Sequence, residues 1–227
     1  LNKNKIEECL PYLSWIRFSV DSGSPENYAK IHHTNVRDYE TVIRNITNSV
    51  KFRNNHGYET DIDVQFLMIS ENMGEEAIKL TERVKDIGVN RIQIKPYSQH
   101  PKSLNRINVN FKKYNSLEKE LKKFESDGFE VWFRRATADM IEEGITYKEC
   151  YGNPFFALIE ATGNILPCNI FYGKEEFSYG NINNQTFGEI WEGKKRKEIL
   201  KRLKEKGVEN CRVGCRLDVI NRYLNRI

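Results

Sequence analysis

Apolar and polar positions recur with two periods along the first 135 residues. "WIRFSVDS" (15–22) is rich in β-formers and ends in turn residues, so it reads as a strand. "SPENYAKIHHT" (24–34) follows, with Ser24 placed as an N-cap, Pro25 at the first helical position and Glu26 just after it. In "VRDYETVIRNITNSVKFRNN" (36–55), Tyr39, Val42, Ile43, Ile46 and Val50 fall at helical spacing. "TDIDVQFLMIS" (60–70) reads as a strand, "MGEEAIKLTERVKDIG" (73–88) as a helix stopped by Gly88, and "VNRIQIKPY" (89–97) as a strand. "FKKYNSLEKELKKFESDG" (111–128) reads as a helix ending on Gly128, and "FEVWFRRA" (129–136) as a strand. This alternation predicts an α/β unit of parallel strands joined by right-handed helical crossovers.

The pattern changes after about residue 140. "FFALIEATGNILPC" predicts a β-hairpin turning at "ATGN". "EFSYGNINNQTFGEIWEG" reads as loop and turn, then a short helix near "FGEIWEG". A basic helix and "NCRVGCRLDVINRYLNRI" complete the chain. Two domains are expected, 1–140 and 141–227, with the boundary in the stretch 137–148.

Composition narrows the picture. The 227 residues are 39% hydrophobic and 30% charged, so a packed core is affordable and wholesale disorder is excluded. No apolar run is long enough to cross a bilayer, and no secretory signal pattern opens the sequence, so no membrane partner and a cytoplasmic location are expected. The first residue is Leu1 rather than Met, which suits a piece of a longer protein. The net charge of +4 sits largely in "KKRKEILKRLKEK" (194–206). No aromatic residues interleave with these basic ones, as a base-stacking surface needs. A solvated amphipathic helix with Ile199, Leu200 and Leu203 inward is the better reading, and no nucleic-acid partner is expected.

Five cysteines in a chain of this kind make a poor disulfide framework. Twelve residues separate Cys150 from Gly163, four separate Gly163 from Cys168, 42 separate Cys168 from Cys211, and three separate Cys211 from Cys215. Two thiols thus flank a hairpin and two share one turn near a helix start. Four thiolates can hold a tetrahedral metal or the four irons of a cubane cluster. Pro167 stiffens the approach to Cys168, and Gly163 permits the hairpin turn. Cys9 fits neither pair. Zinc and iron–sulfur both remain open at this point.

Three segments together, "CYGNPFFALIEATGNILPC", "YGNINNQTFGEIW" and "CRVGCRLDVINRYL", resemble the C-terminal auxiliary-cluster domain of radical S-adenosylmethionine (SAM) enzymes, the SPASM or twitch domain. They span residues 150–224. With four suitable cysteines rather than the larger SPASM set, the likeness is to the shorter twitch form with one auxiliary cluster. "IRFSVDSGSPENYAKIH" resembles the fourth strand and following helix of a radical SAM barrel, and "VQFLMIS" and "RIQIKPYSQHP" its fifth and sixth strands.

The resemblance implies a partial radical SAM (β/α) barrel followed by a small hairpin-and-helix cluster domain. It implies SAM contacts at Ser19 and Asp21, with Lys30 as a further candidate for the SAM carboxylate. Strand ends would present Ser70, Lys95, Tyr97 and Gln99 to the site. An auxiliary [4Fe-4S] cluster would sit on Cys150, Cys168, Cys211 and Cys215, with Asp218 and Asn221 fixing the cluster loop. The implied activity is radical-based oxidation or modification of a small-molecule or peptide substrate by a 5′-deoxyadenosyl radical, fed by an electron donor such as flavodoxin or ferredoxin. The C-x-x-x-C-x-x-C loop that holds the family's catalytic cluster does not occur in this sequence, nor does the glycine-rich SAM motif. The complete enzyme, with its second [4Fe-4S] cluster, would be longer, and this chain alone inactive. The alternative is a zinc-stabilised interaction module without catalysis.

Among the other residues, His32, His33 and His56 read as surface groups, and His100 follows a strand end. Arg134 and Arg135 suit surface ion pairs, and Trp15, Trp132 and Trp191 suit core or interface packing.

Overall fold

The structure, a computed structural model, describes residues 3–69, 73–104, 106–107 and 109–227. Two compact units form: residues 1–97 with 107–138, and residues 98–106 with 139–227. Ser70, expected at a strand end, lies outside the described residues.

The first unit carries four strands, β1 (Trp15–Ser19), β2 (Asp61–Met68), β3 (Arg91–Pro96) and β4 (Glu130–Phe133). They pair in parallel in the order β1-β2-β3-β4. A doubly wound sheet reverses its strand order at a switch point; an unbroken sequential order is that of a barrel wall. Between the strands run α2 (Pro25–His32), α3 (Val36–His56), α4 (Met73–Ile87) and α5 (Leu117–Lys122), preceded by α1 (Lys3–Cys9). The α3 start is set by Asn35, whose side chain accepts from the Arg37 N–H while Asp38 reaches back to the Asn35 N–H.

The strands divide into two chemically opposed faces. Ile62, Val64, Phe66, Met68, Ile92, Ile94 and Val131 are fully buried, and α3, α4 and α5 pack against these strands. The alternate positions form a polar face. There Arg17 and Arg91 both reach the Asp63 carboxylate at 3.2 Å, Arg91 also pairs with Glu130 at 2.9 Å, and Arg17 donates to Gln93 at 3.2 Å. Asp63 is only 1% exposed, so this charge is tolerable because two guanidinium groups bracket it. Trp15 and Trp132, expected as packing residues, are 57% and 43% exposed on this polar face. Strand alternation places them beside the arginines: Arg17 lies 5.1 Å from the Trp15 ring centre and Arg91 3.9 Å from that of Trp132.

Two elements differ from the sequence pattern. The helix expected over 111–128 is a 3-10 turn at Phe111–Tyr114, then the short α5, then a turn closed between Ser126 and Phe129. Asn110 accepts from the Lys112 N–H and caps the 3-10 turn, and Asn115–Ser116, residues that compete for backbone bonds, separate the pieces. After β4 the chain forms α6 (Arg135–Glu143), which directly follows a strand signal and is preceded by Arg134, not by a residue type that announces a helix start. Arg135 pairs with Glu118 at 3.0 Å, the ion pair its sequence setting suggested.

In the second unit, β5 (Leu158–Ile159) and β6 (Asn164–Leu166) form the expected antiparallel hairpin. β7 (Gly180–Asn181), read from sequence as loop, pairs with β6. Thr186 and Glu189 form a capping box for α7 (Phe187–Glu192). The basic α8 (Lys194–Lys206) buries Arg196, Ile199 and Leu203, with Leu200 partly buried against the same core. The last helix is α9 (Asp218–Leu224). No helix among the described residues is long and apolar enough to cross a membrane.

Gly163 sits in the hairpin turn at φ +86°. A Cβ there would lie 2.6 Å from Asn183 Nδ2 and 2.7 Å from Asn181 Oδ1. Both asparagines also donate to the Thr162 carbonyl, so neither can step aside without losing a bond. Gly163→Ala is expected to destabilise the second unit by about 1–3 kcal/mol, seen as a lowered thermal unfolding midpoint.

Candidate functional site

Two groups of side chains carry candidate chemistry, one in each unit. The first lies at the C-terminal end of β1. Asp21 adopts φ +56°, a left-handed conformation in which few residues other than glycine, Asn and Asp are comfortable. Its side chain is buried. The Leu67 N–H donates to Oδ1 at 2.7 Å, and the Ser19 hydroxyl donates to Oδ2 at 3.2 Å. Burial pushes the Asp21 pKa up, against the pull of the Leu67 bond and the nearby His32 and Lys95 charges. Ser19 and Asp21 are therefore joined by a hydrogen bond. Lys30 is exposed on α2 and forms no hydrogen bond or ion pair with either of them.

Sequence reasoning missed two contributors. His32 was read as a surface group, yet its Nε2 lies 3.1 Å from the Val20 carbonyl and 3.9 Å from Asp21 Oδ2, with its ring 4.2 Å from Tyr28. The i,i+4 spacing of Tyr28 and His32 on α2 was the available signal. Glu76 on α4 gathers the loop after β1: its carboxylate accepts from the Ser22 hydroxyl at 2.7 Å, the Gly23 N–H at 2.8 Å and the Ser24 hydroxyl at 3.0 Å. Burial opposes the Glu76 charge, but these donors outweigh it and hold its pKa down. Ser24 thus serves as a tertiary ligand of Glu76 rather than as a side-chain cap of α2.

The second group is the four cysteines. All are half-buried and none forms a disulfide. They lie near enough for their charges to interact. Burial raises Cys168 to about 12, with further pushes from Cys211, Cys150 and Cys215. Burial raises Cys211 to about 11, helped by Cys150 and Cys215, while Lys206 opposes the rise. Cys215 is raised for similar reasons.

The surrounding polypeptide nevertheless points donors at the sulfurs. The Ile170 N–H bonds Cys168, the Leu217 and Asp218 N–H groups bond Cys215, and Asn221 Nδ2 donates to Cys150 Sγ at 3.5 Å. N–H donors stabilise thiolate rather than thiol. Crowded, buried thiolates also need a cationic centre, because protein alone leaves their mutual repulsion unanswered. This donor set suits an iron–sulfur cluster. Among the described residues, no three His, Cys, Asp or Glu side chains are grouped to hold a single metal ion.

Helix α9 ties the cysteine loops together. The Asp218 carboxylate, fully buried, accepts from the Gly214 N–H at 2.9 Å and from Arg222 Nε at 2.8 Å. Asn221 Oδ1 accepts from the Gly152 N–H at 2.8 Å, which orients its amide so that Nδ2 faces Cys150. Tyr147 bonds to both Asn221 and Asp218. Arg222 extends the network to Glu143 and to the Met140 and Gly144 carbonyls. His100 takes no part; its Nδ1 accepts from the Lys102 N–H at 3.2 Å.

Asp21 offers a direct test of the first group. For an acid whose folded pKa is raised, the cost of ionisation appears as pH climbs past the unfolded value of 3.8 and is complete above the folded value. Asn keeps the acceptor for Leu67 and tolerates the positive φ. Asp21→Asn is expected to raise the unfolding midpoint at pH 7, with the gain vanishing below pH 3.8. Calorimetry at both pH values checks this.

Residues 150–216 match the SPASM family, described as an iron–sulfur cluster-binding domain. The match opens on Cys150 and ends one residue after Cys215. Among solved structures, SuiB of Streptococcus suis aligns over 88% of this chain and 49% of its own length, at a TM-score of 0.59 and 15% identity. SuiB bound to S-adenosylmethionine aligns over 88% and 47%, with the same score and identity. This chain thus spans about half the length of SuiB. No curated protein sequence matches it. Residues 150–216 are thus similar to the SPASM iron–sulfur cluster-binding domain, and the chain shares its α/β fold with SuiB.

Proposed function

We propose that this chain is the C-terminal part of a radical SAM enzyme and that Cys150, Cys168, Cys211 and Cys215 hold an auxiliary [4Fe-4S] cluster. The observation that carries the reading is a coincidence of limits. The SPASM match opens on Cys150 and closes one residue after Cys215, and within it two backbone segments and one buried amide supply N–H donors to Cys168, Cys215 and Cys150.

When bound, the cofactors supply one-electron chemistry, opening SAM reductively and taking up an electron from the substrate. The residues of this chain bind and orient. Ser19, which ends β1, and Asp21, bonded to it, supply oxygen acceptors at the strand end that suit the amino and ribose groups of SAM. SAM was bound by SuiB, the neighbour that shares this fold. Lys30, exposed on α2, is a candidate for the SAM carboxylate only after its side chain swings toward the strand end. The four cysteines leave no iron open for substrate, which favours an electron-transfer role over direct substrate binding. The substrate is a small molecule or peptide, and the reducing electron comes from a flavodoxin- or ferredoxin-type donor. The C-x-x-x-C-x-x-C segment that the catalytic cluster requires is not in this sequence, so the complete enzyme supplies it elsewhere.

Anaerobic purification of the chain is expected to give about four iron and four sulfide per molecule, the content of one cubane. Cys168→Ala is expected to lose most of that iron, and in the complete enzyme to leave SAM cleavage largely intact. Colourless protein with stoichiometric zinc would instead establish a structural zinc module, and loss of SAM cleavage together with the iron would overturn the separation of the two sites.

A further inference from the structure

Tyr179 directly precedes β7 and is 2% exposed. Its backbone N–H donates to the Ile165 carbonyl at 2.8 Å, which fixes the residue against β6. The ring belongs to the apolar cluster of Ile165, Phe171, Phe177 and Ile190, and Cys168 packs against that cluster. The hydroxyl is enclosed and has no hydrogen-bond partner among the described residues.

Such an oxygen is costly, because a buried hydroxyl without a partner forfeits the bonds it had in water. Phenylalanine would fill the same space without that cost. The nearby Arg196 offers no relief: it lies 5.8 Å from the ring centre, carries only donors, and directs two of them at the Trp191 and Pro154 carbonyls. Of the four cysteines, Cys168 packs against the same apolar cluster as the Tyr179 ring.

We propose that the Tyr179 hydroxyl is a hydrogen-bond donor to a sulfur of the iron–sulfur cluster, and so sets how readily that cluster accepts an electron. The proposal rests on the cluster reading above. A donor at sulfur stabilises the more electron-rich, reduced form, so it moves the reduction potential upward. Tyr179 is a positioning and tuning residue, with no contact to substrate required.

The test compares the full chain with its Tyr179→Phe variant, both loaded with iron and sulfide anaerobically. Iron and sulfide are counted, the midpoint potential is read by an EPR-monitored redox titration, and thermal unfolding is followed with and without the cluster. The variant is expected to carry the same iron, to titrate at a more negative potential, and to unfold without the cluster no earlier than the parent chain. An unchanged midpoint at full loading would overturn the proposal and leave the cluster reading standing. A cluster-free variant that unfolds earlier would overturn it too, since the hydroxyl would then have a partner within the protein. A parent chain that takes up no iron would overturn both.

Discussion

The buried side chains on the first turns of α9 are the constraint on which the cysteine site depends. Asp218 holds the Gly214 N–H, and through it the loop between Cys211 and Cys215. Asn221 holds the Gly152 N–H, and through it the loop of Cys150, 69 residues away along the chain. Neither side chain has more than 1% of its surface exposed. Hydrogen bonds in such a place are made in a low dielectric and are expensive to break. One helical turn therefore fixes the relative position of loops that no local sequence preference would bring together.

The same economy of charge recurs in the α/β unit. Asp63 is nearly inaccessible but shared by two arginines, and Glu76 is ringed by hydroxyls and a backbone N–H. Both carboxylates are satisfied, and both order their surroundings: the first ties three strands together across the polar face, the second folds the loop after β1. Asp21 is the contrast. It is buried and held at a positive φ, with burial working against its charge. Strain and a disfavoured charge at a strand end are features of sites built for a ligand rather than for stability.

Much of this was legible in the residues, for identifiable reasons. The strands β1 to β3 and helices α2 to α4 carry long periodic patterns with glycine stops and Asn or Pro starts, and these local signals agree with the tertiary fold. The helix over 111–128 failed because Asn115 and Ser116 interrupt it, a local competition that an apolar count does not register. β7 is two residues long and acquires strand character only by pairing with β6, so no periodicity could reveal it. Trp15 and Trp132, expected to pack in a core or an interface, lie exposed beside arginines on the polar face of the sheet, a placement set by strand register rather than by residue type.

The sequence by itself determined the parallel α/β order, the hairpin at Gly163 and the spacing of four thiols, because periodicity, turn chemistry and residue type are local properties. Only the tertiary structure decided that His32 reaches Asp21, that Glu76 rather than the α2 backbone takes the Ser24 hydroxyl, and that Tyr179 buries its oxygen in the apolar cluster against which Cys168 packs. Each of these depends on which elements pack together. That choice follows from burying apolar surface across the whole unit, and a hydrogen-bond partner distant in sequence is known only once it has been made.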